Sequence, residues 1–190
     1  MDSGHASVAL QQMAEAMTGT GLIYFTLRDA TLGAQVKQVR VMVEHATTNE
    51  WIRHPPMDAE MRGVILSALK ALDPFLVTLR NRVIHDVWEP APTDDHPDGL
   101  YGHRATRWGK EGVETTVGTL HLIGSTFFQV ACVLSEAGRA LALLQDHDRA
   151  HAAGLRDNPV REAERYHQEL VARMTAIQTG RQEGWRWIRR

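Results

Sequence analysis

The chain has 190 residues, of which 43% are hydrophobic and 23% charged, with a formal net charge of -2. That is the size of one globular domain with enough apolar material for its own core, which excludes a disordered chain. The near-neutral balance excludes nucleic-acid binding through overall charge, so any such contact has to come from a local basic patch.

The single cysteine, Cys132, excludes an internal disulfide, and inside the apolar run 127–134 it reads as a small buried hydrophobe. Residues 1–8 lack the basic region and long apolar stretch of a secretory signal, and no window reaches about 18 uninterrupted apolar residues. The expected setting is the cytoplasm, with no membrane partner.

In chain order, residues 7–17 read as an amphipathic helix, punctuated by Thr18, Gly19, Thr20 and Gly21. A second helix is expected over 22–45, broken near Gly33. A polar connector ending in Pro55 and Pro56 follows, and Asp58 is placed to cap a helix from Ala59. From there Ile65, Leu69, Leu72, Leu76, Leu79 and Val83 recur at steps of four and three, the spacing of one helical face. Asp73-Pro74 falls inside this stripe, so a kink or immediate restart is expected.

Residues 89–99 hold three prolines and four acidic residues and read as an exposed loop. Residues 101–120 shorten into alternation around Gly109 and Gly112, which predicts a short β-hairpin. A long apolar helix is expected over 121–145. The last helix is expected over 160–178, opened by Asn158 and Pro159 and ended by Gly180. The expected organisation is a single helical domain over 1–178, all-α with about five helices and one hairpin insertion, followed by a basic Trp/Arg tail over 179–190.

The chemistry concentrates at the end of the apolar stripe. At about 100° per residue, the stripe carries Arg80 to its flank and Asn81 and His85 to roughly the opposite side, where i and i+4 residues neighbour each other. Imidazole can act as base or acid near neutrality. Guanidinium offers a planar fork of donors matched to phosphate, and the Asn amide can orient either. Arg40 and His45 repeat the spacing, but Val41 follows Arg40, whereas asparagine occurs only at Asn49, Asn81 and Asn158.

The string Arg80-Asn81-Arg82-Val83-Ile84-His85 resembles the Arg-Asn-x-x-x-His signature of HEPN-domain proteins, as do the long apolar helix leading into it and Trp88 soon after. That resemblance implies a HEPN-like helical bundle and a metal-independent endoribonuclease of toxin or phage-defence type. It also implies a composite site assembled from two copies of the motif in a homodimer, no cofactor, and RNA as the substrate. An antitoxin or other regulatory protein is a further implied partner. Arg80, Asn81 and His85 would be catalytic. Some HEPN toxins carry a tyrosine two residues after the His that a partner enzyme modifies; here the position is Val87, which puts that mode of silencing in doubt. Many HEPN-like proteins have lost catalysis and bind RNA, nucleotides or proteins, so a non-catalytic module is the alternative reading.

Arg82, Arg104, Arg107, Lys110 and Arg186 are the candidate RNA contacts, the last lying between Trp185 and Trp187, which could stack on bases. The plainer reading is solvated surface for the charges and packing for the indoles. The motif too has a plainer reading, in which Arg80 pairs with Asp86 or Glu89 and His85 caps the helix end. A third possibility is a metal-dependent hydrolase built on His147 and His151, also i and i+4, beside Asp146 and Asp148.

Overall fold

The computed structural model describes residues 3–18, 26–45, 59–106, 109–143, 149–183 and 187–189. Its helices are α1 (Ser3–Thr18), α2 (Leu32–His45), α3 (Ala59–Lys70), a π turn (Ala71–Leu76), α4 (Val77–His85), α5 (Val117–Leu143) and α6 (Arg149–Glu183). Its strands are β1 (Val87–Pro90), β2 (Gly99–Thr106), β3 (Gly109–Thr116) and β4 (Trp187–Arg189). The fold is therefore mostly helical with a small sheet. The expected hairpin is wider than its sequence signal, because β1 and β4 flank β2 and β3 in one antiparallel sheet of order β1-β2-β3-β4.

Helix α5 is the centre of the bundle, packed along α6 and α1 and touching α3, the π turn, α4 and β3. Its buried residues, among them Ile123, Phe127, Val130, Val133, Leu134 and Leu141, point in several directions, as a helix enclosed by neighbours requires. By length and composition α5 is apolar enough to cross a membrane; in this fold about 44% of that apolar stretch is buried, while Phe128 is exposed. The helix packs tightly on α1, where a methyl group on Gly138 would lie 3.5 Å from the Met13 Cα.

The apolar stripe read from the sequence is the inner face of α3, the π turn and α4. Ile65, Leu69, Leu72, Leu76 and Leu79 are buried, and Val83 is half-buried. The break at Asp73-Pro74 takes the form of a π turn in which Asp73 alone leaves helical backbone, at φ -123° and ψ 125°. Proline has no N–H to donate, so carbonyls near it lose their helical partners. The Arg40 guanidinium donates to two carbonyls beside this break, those of Leu69 and Asp73, each at 3.3 Å. Arg40 thereby has a structural task, unlike its counterpart in the motif.

Several boundaries differ from expectation: the central helix is Val117–Leu143 instead of 121–145, and Glu89, Pro90 and Gly99 of the expected loop belong to strands. The last helix starts at Arg149 and runs through Pro159 and Gly180 to Glu183. Its contacts with α5 offset the local cost of those residues, which for glycine in a helix is only about 1 kcal/mol. Residues 187–189, expected in a trailing tail, form β4 against β3, with Ile188 opposite Gly112 and Trp187 opposite Val113.

Strand β3 runs directly into α5, and three N–H groups at that helix start have partners. The Thr116 hydroxyl accepts from the Thr119 N–H at 3.1 Å, while Asp98 accepts from Val117 N–H through its carbonyl and from Gly118 N–H through Oδ2. These are the orphan donors of a helix N-terminus, and the Asp98 carboxylate also complements its dipole. The acidic loop before β2 is thus tied to the bundle at its far end.

At the junction of α4 and β1 the Arg82 and Asp86 side chains form an ion pair of 2.7 Å, with 1% and 0% of their side-chain surfaces exposed. Breaking such a pair strands a charge in a poorly solvated place, at a cost of about 3–5 kcal/mol, whereas an apolar pair of similar volume is often tolerated. Asp86→Ala is therefore expected to lower unfolding stability by about 3–5 kcal/mol in urea denaturation. The double variant Arg82→Met/Asp86→Leu should lie closer to wild type than either single loss.

Candidate functional site

Helix α4 has two chemically different sides. Leu79 and Arg82 are buried on the inner side, where Arg82 meets Asp86 one turn on. Arg80 and Asn81 are half-buried and His85 is exposed at the last helical position. Arg80 and Arg82 differ by roughly 200° around the helix, which separates the two guanidinium groups. The expectation that Arg82 contacts RNA is corrected here: it is enclosed, and its charge is matched by Asp86.

That pairing has a consequence for the neighbouring residue. Asp86 is the carboxylate that Arg80 would take up in the plainer reading of the motif, and Arg82 occupies it. Arg80 instead donates from Nη1 to the Asn81 Oδ1 at 3.2 Å, and its Nε lies enclosed with no hydrogen-bond partner. Among the described residues Arg80 makes no ion pair. It is a half-buried cation with donors to spare, held beside an amide.

His85 is exposed between Ile84, 48% exposed, and Val87, 58% exposed two residues on. It does not close the helix. Asp86 does, its N–H donating to the Arg82 carbonyl at 2.9 Å as the backbone turns extended, at φ -82° and ψ 147°. Trp88 then folds back, its indole N–H donating to the Val83 carbonyl at 3.0 Å. The indole lies against Gly102, directly opposite on β2, where any side chain would collide with the ring. Trp88 and Gly102 were not legible as a pair, because β2 sets that register from a distance.

The other candidate contacts do not gather into one surface. Arg104 is half-buried on β2 and alternates with His103 towards the face that carries Gly102, Val113 and Thr115, all buried. Arg107, Arg186 and the side chain of Lys110 lie outside the described residues, as do Asp146, His147, Asp148 and the side chain of His151. Among the described residues no three His, Cys, Asp or Glu side chains converge as a metal site would require.

Sequence reasoning missed a groove of about 640 Å³ between α1, α5 and α6, lined by His5, Val8, Phe128, Cys132, Glu136 and Tyr166 among others. Cys132 borders it and is only partly buried, which corrects its reading as a core residue: the Phe127–Leu134 run lies on a helix, so its side chains fan out instead of all pointing inward. Burial pushes the Cys132 thiol above its ordinary pKa, and Glu136 and Glu169 push it the same way.

No family model, curated protein or solved structure matches the chain. The class of protein that fold and site define is a helical bundle carrying a four-stranded antiparallel sheet, with an Arg-Asn pair and an exposed His on the outer side of the helix before that sheet.

Two outcomes follow from the local chemistry. Trp88→Phe keeps the contact with Gly102 but removes the indole donor, and should lower unfolding stability by about 1 kcal/mol in denaturant titration. A thiolate is the nucleophile in alkylation. Cys132 should therefore react with iodoacetamide more slowly at pH 8 than an unhindered thiol, and Glu136→Gln should accelerate the reaction.

Proposed function

We propose that the chain is a HEPN-like domain that cleaves RNA without a metal, acting in the cytoplasm as a toxin or phage-defence effector. The observation that carries the reading is Arg80: a half-buried guanidinium with no carboxylate partner among the described residues, bonded to Asn81, on the helix that ends in exposed His85. Such a cation is available to a phosphate.

In the proposed reaction His85 of one copy takes the proton of a ribose 2′-hydroxyl, and the 2′-oxygen attacks the adjacent phosphorus. The bond from phosphorus to the 5′-oxygen breaks, and that oxygen receives a proton from the second copy's His85. The products are a 2′,3′-cyclic phosphate and a 5′-hydroxyl. Arg80 neutralises the charge that builds on the phosphoryl oxygens, and Asn81 orients the Arg80 fork. Two copies are needed because one supplies a single His85, and exposed Ile84 and Val87 offer apolar contact around it for a symmetric pairing.

A second reading, a non-catalytic module that binds RNA, a nucleotide or a protein, is favoured by one feature. His85 has no hydrogen-bond partner among the described residues to set its tautomer, which a working base ordinarily has.

The nuclease reading predicts cleavage of single-stranded RNA that persists in EDTA and leaves cyclic phosphate ends. His85→Ala or Arg80→Ala should reduce it by at least about 100-fold, in line with the loss of an acid–base group. RNA left intact by dimeric wild-type protein would reject that reading and leave the module.

A further inference from the structure

The sheet has two faces of different character. The inner one carries Trp88, Gly102, Val113 and Thr115 towards the helices. On the outer one, strand register places Glu89, Tyr101 and Glu114 in one row across three strands, and Val87, His103 and Gly112 in the next. Glu89 and Glu114 are exposed, and Tyr101 and His103 are half-buried.

The Tyr101 ring is laid down over Gly112, where a Cβ would meet its hydroxyl and ring carbons. It is also stacked against His103, with centroids 5.7 Å apart and planes 26° apart. Glycine at 112 is what leaves room for the hydroxyl end of the ring. Directly opposed cross-strand residues have Cβ atoms about 4.5–5.5 Å apart, so each carboxylate is rooted beside the tyrosine. Neither Glu89 nor Glu114 pairs with a cation among the described residues. The loop between β1 and β2 adds exposed Asp94 and Asp95.

We propose that this outer face docks an arginine side chain of a basic partner protein, its guanidinium laid on the Tyr101 ring between Glu89 and Glu114. The argument is charge and shape together. An aromatic face attracts a cation, and a planar guanidinium can stack while its edges donate to carboxylates on both sides. Lysine has the charge but not the plane. A nucleic-acid strand could stack a base on Tyr101 but would bring phosphates against the Glu89 and Glu114 carboxylates. The proposal does not depend on the nuclease reading, since none of Arg80, Asn81 and His85 takes part.

The test uses the full chain, titrated calorimetrically at low salt with a capped arginine–glycine repeat peptide, the matching lysine–glycine peptide and a single-stranded RNA oligomer. The arginine peptide should bind more tightly than the lysine peptide by about 3- to 10-fold, the range of a cation stacked on an aromatic ring. Tyr101→Ala should abolish that difference, Tyr101→Phe should preserve it, and Glu89→Gln/Glu114→Gln should weaken both peptides. Equal binding of the two peptides by wild type, no binding of either, or loss of the preference in Tyr101→Phe would overturn the proposal. RNA binding that is lost on removing the Tyr101 ring would overturn it in favour of a base-stacking face. Tyr101→Phe and the double Gln variant keep the packing volume, so the test stands even if Tyr101→Ala fails to fold.

Discussion

A charge pair sealed from water at the end of α4 is the constraint on which the surrounding arrangement depends. Arg82 and Asp86 sit one helical turn apart, and Asp86 is also the residue at which the helix closes and the backbone turns extended. Burying both groups is tolerable only while they remain in contact. The pair therefore ties the position of α4 to the start of β1. A change in one is transmitted to the other.

That inward clamp also decides what faces outward. Because Arg82 takes the nearby carboxylate, Arg80 has no ion-pair partner among the described residues and bonds instead to a neutral amide. Two arginines two residues apart thus differ in setting, one enclosed in an ion pair and one half-buried beside an amide. The immediate return of the chain as β1, with Trp88 bonded back to Val83 and seated on Gly102, fixes the helix end from the sheet side. The imidazole of His85 stands at the border between bundle and sheet.

The sheet does more than hold that border. Its inner face closes the core, through Val113 and Thr115 packed towards the helices. Its outer face carries acidic and aromatic groups, close in the chain to the Arg80 side of α4 yet opposite to it in charge. Cationic and acidic groups are thus kept on separate surfaces, a division that the near-neutral net charge conceals.

Much of the helical outline was legible in the sequence by itself. The apolar stripe from Ile65 to Leu79, the interruption at Pro74, the exposed acidic loop and the central apolar helix all follow from periodicity and turn chemistry, which act over a few residues. The types and order of the motif residues were likewise visible, since rotation about one helix puts Asn81 and His85 on one side. Only the tertiary structure decided that Arg82 and Asp86 would be enclosed, that residues 187–189 would complete a four-stranded sheet, and that Tyr101, paired with Glu89 and Glu114 on the flanking strands, would lie over Gly112. Each of these depends on contacts between segments distant in the chain, or on what closes over a surface, and local spacing carries no record of either.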